Sequence, residues 1–247
     1  MNPLLELAGV PMPSPRPARK SSPVDTTSPD TKSRILDAAE QLFMEHGFEA
    51  TSLRQLTSSA GVNLAAVNYH FGSKEDLFEA VLTRRLDPMN HERIEILAKL
   101  EREAGGKPIE CEKILAAMLV PALRLARDEK RGGKNFLRLL GRAYADPAPF
   151  IRHFLSAQYA EMIARYKEAF HRALPHLSRQ ELTWRLHFVM GALSYCLAGT
   201  DALKLLSQVA AVDKDNDELL IQRLAPFLAA GLKAPPLGDP RKLELVA

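Results

Sequence analysis

Cysteine is scarce: Cys111 and Cys196 are the only two in 247 residues. They lie far apart in apolar helical patterns, with neither a CxxC pair nor a metal-type spacing. Buried thiols in a reducing cytosol fit this usage, with a redox-sensing pair as the alternative. The histidines are scattered. His171 and His176 are five apart, not the four that sets two ligands on one helix face, and no HExxH occurs. A nucleophile elbow, a P-loop and a dinucleotide fingerprint are also missing. Catalysis, metals and cofactors therefore have no carrier in the sequence. The longest uncharged apolar run, Leu186–Thr200, falls short of the roughly 20 residues a bilayer requires and reads as a buried core helix. Leu4–Val10 contains Glu6 and leads into prolines, unlike a secretory signal. No strand-like alternation of useful length appears. These absences predict an all-α, cytoplasmic protein that does not enter a membrane.

A more local absence organises the rest. From Thr51 to Lys74 there is no aspartate or glutamate, although Asp30–Arg85 as a whole carries more acids than bases. Two short apolar-periodic segments flank Ala60-Gly61-Val62, which is the sequence form of a helix-turn-helix. The second segment is rich in small and amide side chains, ends in Tyr69-His70 and is followed by Lys74. Such a helix suits a major groove and its phosphates.

The surrounding pattern supplies bracing helices. Ile35, Ala38, Ala39, Leu42 and Phe43 follow helical spacing from a start at Asp30 or Thr31, with Gly47 as the stop and Phe48 placed to fold back. Ser52-Leu53-Arg54-Gln55 and Ser73-Lys74-Glu75-Asp76 have the form of capping boxes. Val67 and Phe71 should point into a small core. The sequence thus predicts phosphate donors at Thr51, Arg54, Tyr69, His70 and Lys74. Base-side contacts are predicted at Asn63, Ala65, Ala66 and Asn68, since asparagine pairs bidentately with adenine and an alanine methyl meets a thymine methyl. Leu64 either touches a thymine methyl or packs locally.

Residues 1–29 are crowded with proline, serine and threonine and predict a disordered tail. The fourth helix, with Leu77, Phe78, Val81 and Leu82 as its buried stripe, runs on toward Lys99. Beyond it, helices are predicted near Cys111–Arg127, Asn135–Ala145, Pro147–Ala173, Ser178–Ser207 and Asp215–Gly231. In the fourth of these, Trp184, Phe188 and Tyr195 share one stripe, and Leu186, Met190, Leu193 and Leu197 another. A helix apolar on two faces must be covered on both. One stripe then lines a cavity while the other meets a second subunit, or all of them fill the core. Gly191, Ala192, Ser194, Ala198 and Gly199 would permit close helix approach.

Ala60-Gly61-Val62-Asn63, Val67, Tyr69-His70-Phe71, Lys74 and Leu77, within Thr31 to about Leu82, resemble the TetR/AcrR family of one-component bacterial regulators. The resemblance departs at Asn68, a position that often carries tyrosine, and at Leu64, often polar, so no operator sequence carries over. Asn135–Gly141, Phe150–Tyr166, Trp184–Phe188 and Met190-Gly191-Ala192 resemble the C-terminal domain of PsrA-type regulators, associated with long-chain fatty acid or acyl-thioester sensing. The resemblance implies a helix-turn-helix DNA-binding domain over 30–82 with three helices, a larger helical effector-binding and dimerisation domain over 83–234, and a tail over 235–247. It implies a homodimer on a palindromic double-stranded DNA operator, released by a small hydrophobic effector. For an acyl ligand, Phe136, Leu139, Leu140, Phe154, Trp184, Phe188 and Met190 are the expected tail contacts. Arg138, Arg142, Arg185 or His187 would meet an anionic head. The alternatives are a regulator of efflux genes sensing a drug-like or aromatic ligand, and a helical acyl-handling enzyme.

Overall fold

The computed structural model describes residues 29–146, 148–197 and 217–236, and among these every regular element is helical. The expected disorder of the N-terminal tail, Pro147, Ala198, Gly199 and the helix beyond them to Ser207, and the last eleven residues lie outside the described residues.

Helix α1, Pro29–Ala50, buries Ile35, Ala39 and Phe43 completely. It bends at Gly47, whose φ of 82° and ψ of 176° suit glycine almost alone. The bend returns Phe48 against Phe43, Phe78 and Phe150, with ring centroids 6.0, 5.0 and 4.9 Å away. Helices α2, Leu53–Ala60, and α3, Leu64–Phe71, follow, and then α4, Lys74–Ala104. Both expected capping boxes form, Ser52 with Gln55 and Ser73 with Asp76.

Helix α4 continues past residue 82, through the expected run toward Lys99, and ends at Ala104. The core also continues past residue 82. One apolar cluster joins α1–α4 to Ala122, Leu125 and Ala126 of α5, Cys111–Arg127, to Phe136, Leu139 and Leu140 of α6, Gly133–Ala145, and to Ile151 of α7, Pro149–Gln158. A second cluster gathers Leu97, Ile114, Leu115, Tyr166, Phe170, Leu182 and Val189 from the far half of α4, the start of α5, α8 (Ala160–Ala173) and α9 (Arg179–Leu197), with Leu228 and Leu232 of α10, Asp217–Lys233. Cys111 lies in this second core, where burial pushes its thiol up to about 11. It stays protonated and unreactive at neutral pH.

The sequence predicts one helix over Pro147–Ala173; the structure has two, broken at Tyr159 (φ −113°, ψ 18°). No glycine or proline marks this break. Tertiary contacts impose it: the Tyr159 ring is buried, edge-on to Phe154, and its hydroxyl donates to Asp87 Oδ1 at 3.0 Å.

Candidate nucleic-acid interface

The turn between α2 and α3 is held from both sides. Gly61 takes the left-handed conformation (φ 62°, ψ 40°) that ends α2. Arg34, from α1, donates through Nη2 to Ala60 O at 2.7 Å and Gly61 O at 2.9 Å. These carbonyls at the end of α2 would otherwise lack partners, so Arg34 fixes the angle of α3 against α1. The Asn63 side-chain oxygen accepts from Ala66 N at 2.9 Å and caps α3; its amide N–H groups are not engaged by that cap.

On α3, Val67 and Ala66 face inward at 0% and 1% exposure. Leu64, Ala65, Asn68 and Tyr69 face outward on one side, with Leu64 48% and Tyr69 70% exposed. His70 and Phe71 are half-buried at the rim. Arg54 is exposed on α2. At the start of α4 the Lys74 ammonium sits 4.2 Å from the Phe48 ring centroid. A lysine there adds its charge to the positive end of a helix, which favours an anion in front of it; Glu75 and Asp76 in the same turn offset this in part. Two acids of α1 are neutralised by arginines of α4. Glu40 is buried between Arg85 (2.6 Å) and Arg84 (3.2 Å), and Asp37 also pairs with Arg84.

Two predicted contacts fall elsewhere. Ala66 is packed in the core and has no methyl to offer a base. Thr51 is fully buried, and its hydroxyl donates to Gly47 O at 2.7 Å and Leu42 O at 3.3 Å. That hydroxyl closes the end of α1 and is not available to a phosphate. Thr51→Val, nearly isosteric, should cost about 1–3 kcal/mol by leaving these carbonyls short of a donor; a urea midpoint unchanged from wild type would contradict the assignment. Sequence reasoning passed over Lys32, exposed on α1 with its ammonium 5.7 Å from the Phe71 ring centroid at the end of α3. It also missed Arg34, because no spacing rule connects a residue on one helix to a turn 26 positions away.

The predicted effector contacts are not brought together. Phe136, Leu139 and Leu140 are buried in the core shared with α1–α4, and Phe154 lies half-buried beside it. Met190 packs on the second core. Trp184, His187 and Phe188 are exposed, the Trp184 and Phe188 rings stacked at 6.1 Å. Arg185 is not free for an anionic head group: it is buried, paired with Glu181 and bonded to four backbone carbonyls at the end of α10.

Two family profiles match the chain. One, described as bacterial regulatory proteins of the tetR family, covers residues 35–81, and the other, a tetracyclin repressor-like C-terminal domain, covers residues 116–231. The chain belongs to the TetR family. Among curated TetR-type relatives, the HTH-type transcriptional repressor BepR of Brucella suis is 34% identical over 41% of this chain and 46% of its own length. The chain thus spans about half the length of that relative. The HTH-type transcriptional dual regulator CecR of Shigella flexneri is 25% identical over 77% of this chain and 86% of its own. A solved structure described as a SmeT–triclosan complex shares the fold, with a TM-score of 0.53 and 23% identity over 85% of this chain and 99% of that one. No helix of the described residues is long and apolar enough to cross a membrane.

Proposed function

We propose that the protein is a DNA-binding transcriptional repressor that acts as a homodimer and is released from its operator by a small hydrophobic effector. One observation carries the reading: the acid-free helix α3 presents Leu64, Ala65, Asn68 and Tyr69 outward beside a lysine at the start of α4. Residues 30–82 supply the DNA-binding unit, and α3 enters the major groove. Asn63, Ala65 and Asn68 read base edges, while Arg54, Tyr69, His70 and Lys74 engage phosphates, with Lys32 at the edge. Ala66 and the Thr51 side chain belong to the scaffold.

The remainder, 83–234, supplies dimerisation and effector binding. Trp184, Phe188 and Tyr195 on α9 and Phe227 on α10 are 53–70% exposed. Glycines stand on the same surfaces, Gly191 on α9 and Gly231 on α10, with open space where a Cβ would be. Exposed aromatics on this scale mark an interface, and a second copy of the same face covers them. Two-fold symmetry then calls for a roughly palindromic operator. The PsrA-type resemblance supports acyl chemistry for the effector. Release requires that the effector bind more tightly to a dimer geometry unable to span both half-sites.

Titration of duplex DNA at several salt concentrations tests the phosphate assignment. Lys74→Ala should weaken binding across sequences and make the log–log salt slope shallower by roughly one per subunit. An unchanged slope and affinity would remove Lys74 from the interface.

A further inference from the structure

Helix α6 carries no acidic residue, and its solvent-facing side carries Asn135, Arg138 and Arg142. Arg138 and Arg142 are four apart, so their like charges stand one turn from each other at a cost to the helix. Neither guanidinium has a carboxylate partner among the described residues. Among the described residues, Arg138 Nη1 meets only Asn135 Oδ1, at 3.5 Å. Arg142 Nη2 donates to Met44 O at 2.9 Å, in the last regular turn of α1, and its Nη1 lies about 4.0 Å from where a Cβ on Gly47 would stand. Together with Met44 and Glu45 these three residues line a cleft of about 300 Å³. Glu45 is occupied on its own helix, accepting from Gln41 at 3.1 Å and standing 3.7 Å from His46. The cleft therefore holds two unpaired guanidinium groups against one carboxylate that is already engaged.

We propose that this cleft between α1 and α6 is a binding site for a small polyanion bearing phosphate or carboxylate oxygens. Its volume lies at the lower end of the range for small-molecule sites. The planar forks of Arg138 and Arg142 match oxyanion geometry, and the Asn135 amide supplies a further donor. The cleft is concave and local, which suits a diffusible anion rather than a duplex backbone. A bound anion competes with Met44 O for Arg142. Occupancy thus loosens a contact between α6 and the helix that positions the helix-turn-helix. The site is separate from the exposed α3 face and from the apolar effector region, and its existence does not depend on DNA binding.

Calorimetric titration of sodium pyrophosphate into the full-length protein, at constant ionic strength set with sodium chloride, tests this. Saturable binding of one anion per chain is expected. Arg138→Gln and Arg142→Gln should each weaken it by about tenfold or more, since each removes a charge-assisted pair. Arg131→Gln, in a residue paired with Asp128 at 3.2 Å and outside the cleft lining, should leave it unchanged. Both cleft arginines are exposed, so each variant should keep native helicity by circular dichroism, with only Arg142→Gln, which gives up its bond to Met44 O, melting slightly earlier. No saturable binding, or equal affinity in the Arg138→Gln/Arg142→Gln double variant, would overturn the proposal. It would also be overturned if pyrophosphate fails to bind while Arg138→Gln flattens the salt dependence of duplex binding, because the face would then be a DNA contact.

Discussion

Replacing Arg185 by alanine should destabilise the protein by about 3–5 kcal/mol, the range for removing one partner of a buried ion pair. Arg185 is only 8% exposed. Its Nε donates to Glu181 Oε1 at 2.9 Å, one turn earlier on α9. Nη1 reaches the carbonyls of Gly231 (3.3 Å), Leu232 (3.0 Å) and Ala234 (2.5 Å), and Nη2 that of Pro235 (2.9 Å). A helix leaves its final carbonyls without intrahelical donors, and a cation there also favours the helix dipole. One guanidinium thus closes the end of α10 and ties it to α9. Alanine would strand Glu181 and several carbonyls at once. Lysine should recover only part of the loss, because one ammonium cannot reproduce the fork. Chemical denaturation at fixed protein concentration reads the effect, and a loss below about 1 kcal/mol, the scale of an exposed pair, would contradict this role.

The second large effect concerns the aromatic face. In the double variant Trp184→Asp/Phe188→Asp, the subunit dissociation constant should rise by at least about 1,000-fold, since buried aromatic anchors each contribute about 2 kcal/mol or more to an interface and both subunits lose two of them. Both side chains are already exposed in the single chain, at 55% and 63%. Their replacement should therefore leave the fold of the subunit intact by circular dichroism. Sedimentation velocity separates the outcomes: a monomer with native helicity supports the face, and an undisturbed dimer would mean that subunits meet elsewhere. Under the proposed reading each subunit brings one α3, so the monomer should also lose most of its affinity for a two-half-site operator.

These two helices show where sequence and structure part. Periodicity placed Trp184, Phe188 and Tyr195 on one stripe of α9 and Leu186, Met190 and Leu193 on another, but it carries no information on which stripe meets the body of the protein. Packing against α6, α8 and α10 decided that, turning the aliphatic stripe inward. Trp184 and Phe188, expected among the effector contacts, are left on the outside. Arg185 was legible only as a cation in an apolar helix, since its carbonyl partners lie 46 to 50 positions away. In contrast, the helix-turn-helix was read almost whole, because its determinants are local. The capping boxes act across three residues, Gly61 requires its own backbone conformation, and Asn63 caps the helix it opens. Errors there came from side chains whose partners are not adjacent: the Thr51 hydroxyl turns back to Leu42 and Gly47, and Ala66 is claimed by the core. The expected boundary at residue 82 falls inside α4. Helix and core both run through it, so Phe136, Leu139 and Leu140 serve the packing of α1–α4 against α6 rather than a cavity.

This continuity has a functional consequence under the proposed reading. Glu40 of α1 is clamped by Arg84 and Arg85 of α4, and Arg142 of α6 holds the end of α1. A shift of α6 or α4 in the effector region is therefore transmitted to the scaffold of α3 through packed side chains and charge-assisted hydrogen bonds, without a flexible linker to absorb it.

The central claim is that paired α3 helices read DNA through Asn63, Ala65 and Asn68. Selection of bound duplexes from a random-sequence pool by the full-length protein tests it most directly. Enriched sequences should contain two inverted half-sites centred about one helical turn apart, or a multiple of it, and Asn68→Ala should change the preferred bases within each half-site. A pool that shows no enrichment, or enrichment of a motif without two-fold symmetry that Asn68→Ala leaves unaltered, would contradict the account.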